Sequence, residues 1–428
     1  MTTLHITNAW HATSGGIRTF YQALLDGGNR LGRRVVVVAP AQRAGIEPVG
    51  DYGCLYFVPA PPAPAFDRRY RLITPDKYMP FGSGCIRAIL ERERPHVVEI
   101  ADKYSLPYLA ALLRRGWFSG IPRPALVGLS CERFDDNMAA YLNRSPVARR
   151  FTQWYIHNVY GPPFDVHVAN SEYTADELRR ALPERAPDFV RVCPMGVDTT
   201  GFAASRGSRA TRAQLLRQCK GDRDTTLLLY AGRLSPEKNL GMLLDALKVL
   251  VADGRGDYRL VLAGDGPLAE HMRREATGLL QDRLLFLGNL DREALAACYA
   301  SCDVFVHPNP REPFGIGPLE AMASGIPVVV PDRGGVLTYA NASNAWLAAP
   351  NAEAFVAAIR SASRLDRVRL ASARATAEGF RWADATDRFF TLYDEVQHRF
   401  APERSGHAPS RPHEAPSHVG GAKSSACT

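Results

Sequence analysis

The chain has 428 residues, 46% hydrophobic and 22% charged, and its 52 Lys and Arg against 44 Asp and Glu leave a net charge of +8. That length exceeds one ordinary core and divides into two or three domains, and the composition excludes a disordered, collagen-like or coiled-coil chain. The positive excess contains no long Lys/Arg run, which argues against a dedicated nucleic-acid face and suits phosphate-bearing ligands or transient contact with an anionic membrane surface.

Short apolar runs alternate with amphipathic helical stretches from the first residues onward. Leu4–Thr7 precedes a helical stretch at Ile17–Leu31, and Val35–Ala39 follows. His96–Ala101 precedes Ser105–Arg115, and Ala125–Leu129 precedes a long helical segment. Phe164–Ala169 precedes Ser171–Leu182, and Phe189–Cys193 closes the series. This is βαβ rhythm, which predicts a mostly parallel sheet with helices on both faces. Pro59–Asp67, PAPPAPAFD, is too rich in proline for either element and reads as a loop.

An irregular polar segment at Thr199–Arg209 interrupts the rhythm, which then restarts. Leu227–Gly232, Tyr258–Gly264, Arg283–Gly288, Asp303–His307 and Ile326–Val330 are strand candidates, with helices expected at Asn239–Ala252, Pro267–Ala276 and Arg292–Ala300. Arg381–Arg399 has helical apolar spacing, and Ala401–Thr428, rich in Ser, Pro, Gly, Ala and His, reads as a disordered tail. The expected fold class is α/β, two doubly wound parallel-sheet domains in tandem, with ligands at the carboxyl ends of the strands and in a cleft between the domains.

No apolar run approaches the roughly 20 residues of a membrane helix, and the first residues carry no secretory pattern, so a cytosolic protein is expected. The eight cysteines include no CxxC pair. Cys298 and Cys302, near His307, lie where a helical segment meets a strand, so packing is expected of them rather than a metal.

Three glycine-containing turns fall at strand ends. Ser14-Gly15-Gly16 opens the first helix, where backbone N–H groups can approach an anion; a plain chain reversal explains it as well. In Gly232-Arg233-Leu234-Ser235-Pro236-Glu237-Lys238 two cations follow a buried strand, which suits a diphosphate, the bland alternative being pairing with Glu237 and Asp265. In Arg311-Glu312-Pro313-Phe314-Gly315-Ile316-Gly317-Pro318-Leu319-Glu320 two carboxylates bracket a run of N–H groups at a helix start.

These segments together, YAGRLSPEKN, LAGDGP, LGNL and EPFGIGPLEAMASGIPVV, resemble the retaining group 1 (family 4) glycosyltransferases typified by glycogen, sucrose-phosphate and phosphatidylinositol-mannoside synthases, over nearly the whole chain to about Arg399. The resemblance implies a GT-B fold, with residues 1–204 binding acceptor, 205–380 binding the nucleotide-sugar, 381–400 a crossover helix that packs back on the first domain, and 401–428 a tail. It implies that Arg233 and Lys238 hold the donor diphosphate and that Glu312 meets the sugar hydroxyls. It places Glu320 on the ribose, backbone amides of Phe314, Gly315 and Ile316 near sugar and phosphate, and Gly15, Gly16, Gly232, Gly264 and Asp265 around the donor. Met195 stands in CPMGVD where the family commonly has Asn. Where a family histidine usually follows the strand ALVGL, this chain has Ser130-Cys131-Glu132-Arg133; Cys131, Glu132 or His11 is left to fill its place.

The implied function is transfer of a hexose from a GDP- or UDP-sugar to a hydroxyl of a lipid, lipid-linked or glycan acceptor, with no metal and no cofactor. The EPFG form hints at mannose, and peripheral contact with the inner face of a membrane is expected. Basic and aromatic residues interleave in FDRRYRLITPDKY and ARRFTQWYIHNVYG, where a lipid surface, an oligosaccharide groove and ordinary core packing all remain open. A dinucleotide oxidoreductase is set aside because Gly264-Asp265-Gly266 lacks a third glycine. A GT-B epimerase or phosphorylase and a catalytically silent sugar-nucleotide binder remain as alternatives.

Overall fold

Parallel strands separated by helices build two sheets, one from each half of the chain. The computed structural model describes residues 1–10, 15–63, 70–79, 84–141, 146–185 and 187–401. His11, residues 64–67 of the Pro59–Asp67 loop and the tail from 402 onward lie outside the described residues. Two compact units are formed, one from Met1–Cys193 with the chain from Ala385 onward, the other from Pro194–Asp384.

The first unit contains β1 (Thr2–Thr7), β2 (Arg34–Ala41), β3 (Gly45–Val49), β4 (Gly53–Pro59), β5 (Val97–Ala101), β6 (Ala125–Ser130), β7 (Val166–Ala169) and β8 (Val190–Val192). They run in the order β3-β4-β2-β1-β5-β6-β7-β8, parallel throughout except for the antiparallel β3–β4 pair. Val35 to Val38 are fully buried, as a strand covered on both faces requires. The sequence pattern missed β3 and β4. Gly-Ile-Glu-Pro-Val has no alternation and keeps Glu47 and Pro48 exposed, the composition of an edge strand rather than an inner one.

In the long helical segment expected after β6, the described residues form the helices Phe134–Tyr141 and Pro146–Tyr155 and a π turn at Ile156–Tyr160. The helix Trp382–Phe400 returns to the first unit and packs Phe389 on Phe20 of the helix Gly16–Leu31, with ring centroids 4.8 Å apart. Its Tyr393 hydroxyl donates to Glu99 Oε2 at 2.5 Å, and the other oxygen of Glu99 accepts from Tyr21 at 3.2 Å and lies 3.0 Å from His5 Nδ1. His5 and Glu99 are fully buried, so the carboxyl is tolerated because Tyr393, Tyr21 and His5 meet it as polar partners. Burial and the Glu99 carboxyl push both phenols well above their usual range, which keeps them donors at any ordinary pH.

The second unit contains β9 (Thr226–Ala231), β10 (Tyr258–Ala263), β11 (Leu284–Gly288), β12 (Val304–Val306), β13 (Val328–Pro331) and β14 (Trp346–Ala348), in the wholly parallel order β11-β10-β9-β12-β13-β14. β14, only three residues long, carries too little pattern to be read in advance. The central β9 lies between β10 and β12, so the order reverses there and the loops after β9 and β12 open side by side, the usual position of a ligand site.

Residues 194–204, placed with the first domain from sequence, belong to the second unit. Val197 forms a parallel bridge with Arg381, its N–H donating to Phe380 O at 2.7 Å, and a Cβ on Gly196 would lie 2.7 Å from the Trp382 ring. A glycine lying flat on an indole fastens this stretch to the start of the last helix.

Tyr393→Phe removes a donor from the buried Glu99 cluster and is expected to cost about 1–3 kcal/mol. The midpoint of urea unfolding followed by far-ultraviolet circular dichroism checks it; an unchanged midpoint would mean that Tyr21 and His5 alone satisfy Glu99.

Candidate active site

The loops after β9 and β10 touch backbone to backbone. Gly232 has φ +147 and Gly264 φ +143, and a Cβ on Gly264 would lie 2.0 Å from the Gly232 carbonyl oxygen. Gly232 N–H donates to Ala263 O at 2.9 Å, and Leu234 N–H donates to the backbone oxygen of the exposed Asp265 at 3.0 Å. Gly232, Gly264 and Asp265 therefore form the frame of this corner. Arg233 extends from it, with its own carbonyl accepting from Tyr230 Oη at 3.0 Å.

A 3-10 turn at Pro236–Lys238 and Asn239, in the left-handed region at φ +56, turn the chain into the helix Leu240–Ala252. Asn239 Nδ2 donates to Pro308 O at 3.1 Å and thereby ties the loop after β9 to the loop after β12. Across this tie Lys238 Nζ meets Glu312 Oε2 at 2.8 Å.

Glu312 is held from several sides. Its Oε2 also accepts from Asn309 Nδ2 at 2.9 Å and lies 3.3 Å from His307 Nε2, and the described hydrogen bonds to this carboxylate all fall on that one oxygen. Burial alone would raise the carboxyl; the Lys238 ammonium and His307 outweigh it and hold the group below the usual carboxylate range. The side chain of Glu312 is 12% exposed and that of Lys238 23%, so the pair is partly dry yet reachable. His307 and Asn309 escaped the sequence reading. Their signal was position, directly after β12 and three to five residues before the acid; the sequence reading meets His307 only as a neighbour of Cys298 and Cys302 and does not single out Asn309.

Beyond Glu312 the chain turns at Gly315, φ +83, into the helix Ile316–Ala323, whose first N–H groups lack intrahelical acceptors and receive no side-chain cap. Phe314 is buried against Tyr339 and Phe380, and Tyr339 Oη donates to Gly315 O, which anchors the turn. Gly335 N–H donates to Glu312 O at 2.7 Å, an approach possible because a Cβ there would lie 1.8 Å from Pro313 O. One turn along the helix, Glu320 Oε2 accepts from Tyr299 Oη at 3.0 Å. Burial pushes the Glu320 carboxyl up to about 7, against the smaller pulls of Tyr299 and Arg292.

In the first unit Gly15 and Gly16 open the helix Gly16–Leu31; both are exposed, and space is open around the Cα of Gly15. Cys131 and Glu132 follow β6. Burial, then Glu99 and Glu132, push the Cys131 thiol well above its usual range, so it is a protonated thiol and no nucleophile. Glu132, raised by burial against the opposing Lys103, accepts from Asn137 Nδ2 at 2.9 Å. Beneath them Lys103, 1% exposed, donates to Glu132 O at 2.6 Å and to Glu177 Oε2 at 2.7 Å. A buried lysine in a residue run that reads as plain loop, Asp102-Lys103-Tyr104, gave no advance signal. Among the described residues no three His, Cys, Asp or Glu gather as a metal site, and Cys298 and Cys302 are buried free thiols.

The family described as glycosyl transferase 4-like domain matches residues 15–196, and the family described as glycosyl transferases group 1 matches residues 214–378. Over 386 residues, 90% of this chain and 94% of the other, the sequence is 32% identical to a GDP-mannose-dependent alpha-(1-6)-phosphatidylinositol dimannoside mannosyltransferase of Mycobacterium tuberculosis. The chain belongs to the group 1 glycosyltransferases. Among solved structures, this glycosyltransferase resembles sucrose-phosphate synthase from Thermosynechococcus elongatus, with TM-score 0.74 and 20% identity over 92% of this chain and 99% of that one. It also resembles Anabaena HepE in complex with UDP-glucose, with TM-score 0.66 and 16% identity over 92% and 100%. The fold is GT-B.

In this glycosyltransferase the raised Glu320 makes a pH prediction. A carboxyl whose folded value lies above its unfolded value contributes stability below the unfolded value and loses it as pH rises through the folded one. Relative to Glu320→Gln, the wild type is therefore expected to lose stability from about pH 5 to about pH 8 and to level off above that range. Urea midpoints of the two proteins across that range test it; parallel curves would show that Glu320 titrates normally.

Proposed function

We propose that this glycosyltransferase moves a hexose, with mannose the first choice, from a nucleoside-diphosphate sugar to a hydroxyl of a lipid, lipid-linked or glycan acceptor, with retention and without a metal, at the inner face of a membrane. The observation that carries the reading is the one-sided satisfaction of Glu312. Oε2 is occupied by Lys238 and Asn309, which leaves Oε1 to orient sugar hydroxyls. The kinship with a GDP-mannose-dependent enzyme supports GDP-mannose as donor, with a UDP-sugar as the runner-up.

In the proposed reaction the bond between the anomeric carbon and the phosphate oxygen breaks, and its electron pair leaves on the diphosphate. The acceptor oxygen bonds the anomeric carbon from the same face, and its proton passes to the departing phosphate. What such a reaction needs most is positive charge where the leaving group gains negative charge. Arg233, Lys238 and the uncapped N–H groups after Gly315 are suited to that task, Glu312 to holding the sugar, and Glu320 to the ribose. Gly15 and Gly16 are assigned to the diphosphate, and Cys131 with Glu132 to the place of the usual histidine.

Incubation with UDP-, GDP- and ADP-sugars, with and without a lipid extract, should release nucleoside diphosphate from one donor, faster with the extract. Lys238→Ala and Glu312→Ala are each expected to slow that release by about 100-fold or more with unchanged circular dichroism. Wild-type rates in both would sink the site assignment. Donor binding without turnover in the wild type would favour a silent sugar-nucleotide binder.

A further inference from the structure

A lysine and a glutamate with 1% and 4% of their side chains exposed meet inside the first unit, Lys103 Nζ donating to Glu177 Oε2 at 2.7 Å. They come from different elements. Lys103 lies in the loop after β5, and Glu177 lies in the helix Glu172–Ala181, which follows β7. Each also reaches the segment after β6 that lies between them. Lys103 Nζ donates to Glu132 O at 2.6 Å, and the other oxygen of Glu177 accepts from the backbone N–H of Asp135 at 2.7 Å. The lysine is itself held in place, since Tyr155 Oη donates to Lys103 O at 2.7 Å and the Tyr160 ring centroid lies 5.7 Å from its ammonium. The pair therefore grips both ends of the turn from Glu132 to Asp135 by its backbone.

Taking two unit charges out of water is costly, and their mutual attraction offsets that cost only in part, so apolar residues of the same volume often hold a fold equally well. What an apolar pair cannot do is hold a carbonyl and an N–H in fixed places. Asp135 N–H is one of the first donors of the helix Phe134–Tyr141, which have no acceptor within that helix, and Glu177 caps it from another element. Buried Arg133 adds a second fastening to the helix Glu172–Ala181, donating to Tyr173 O at 2.9 Å and to Asp176 Oδ2 at 3.1 Å. The side chains at the turn are treated differently from its backbone. Cys131 and Glu132 are half-buried, and the one described hydrogen bond to the Glu132 carboxyl comes from Asn137 Nδ2 to Oε2, which leaves Oε1 for a ligand.

We propose that Lys103 and Glu177 are positioning residues of the sugar transfer: the buried pair presets the turn that presents Cys131 and Glu132, and touches no substrate itself. This rests on the functional reading above, which assigns Cys131 and Glu132 to the place of the family histidine. The diphosphate and ribose are assigned there to Arg233, Lys238 and Glu320, so a loosened turn should lower the rate of reaction of bound donor and leave donor affinity alone.

Two variants of the full-length protein test the proposal. Lys103→Met leaves Glu177 as an uncompensated buried charge, and it should lower the urea midpoint and the rate of nucleoside diphosphate release together. Lys103→Met, Glu177→Gln removes both charges and keeps an acceptor for Asp135 N–H, so its midpoint should return toward the wild-type value while Glu132 O stays without its lysine donor. In this double variant kcat for nucleoside diphosphate release should fall about tenfold or more, with KM for the donor within about twofold of wild type. Amide hydrogen exchange should be faster in peptides spanning 130–137 and unchanged in the second unit. A double variant whose rate returns with its midpoint would reduce the pair to packing and overturn the proposal. Wild-type exchange at 130–137, or a raised KM with unchanged kcat, would overturn it as well. A wild type that turns over no donor would overturn the functional reading and this role with it, whereas full turnover in the double variant overturns this role alone.

Discussion

A side chain of any size on Gly264 would run into the Gly232 carbonyl, 2.0 Å from where its Cβ would stand. The loops after β9 and β10 can meet only as bare backbone, and that meeting directs the chain through Arg233 toward Lys238. A second close approach, Gly335 against Pro313, holds the loop after β12 from the other side. Between them Asn239 bridges to Pro308 and Lys238 to Glu312. An ammonium and a carboxylate this poorly hydrated are tolerable only as a pair with further donors, and Asn309 supplies one. The glycines thus act on the chemistry indirectly: by allowing two loops to touch, they set the distance between two charges.

The same corner explains why one part of the site was legible in the sequence and another was not. Lys238, Glu312 and Glu320 lie in segments whose composition is odd for a turn, with cations after a buried strand and acids around a glycine run. The residues that steer them are ordinary in their own segments. His307 follows a strand, Asn309 sits between two prolines, and Tyr299 closes an apolar helix; each gains a polar task only from a partner three to more than twenty residues away. Periodicity reports which face of an element is apolar and says nothing of which polar tips meet across elements.

At the level of the fold, strands buried on both faces, such as Val35–Ala39 and Val328–Val330, announced themselves, since continuous β-branched runs have few other uses. The elements that escaped were at the margins. β3 is an edge strand with a proline and a glutamate, and β14 is three residues long. From sequence the stretch at 194–204 falls with the first domain, because its fastening, Gly196 beneath Trp382 and Val197 beside Arg381, uses contacts across nearly the whole length of the second unit. The helix Pro146–Tyr155 had the same ambiguity in a different form, since an apolar residue in an amphipathic pattern can face the core or a lipid equally well, and only the packed structure separates Tyr155 from Trp154.

The return of the last helix to the first unit has a consequence for how the protein is made. Glu99 receives one of its hydrogen bonds from Tyr393, 294 residues later, and Phe20 packs on Phe389. A ribosome releasing this chain from its N-terminus delivers the whole contiguous second unit, Pro194–Asp384, before the first unit has its final helix. The earlier-made half must therefore wait with a buried carboxyl short of a donor and an aromatic face uncovered, and it is completed last. Termination just after Asp384 would leave the second unit whole and the first without its closing piece, so it is the first unit that depends on the last helix being made.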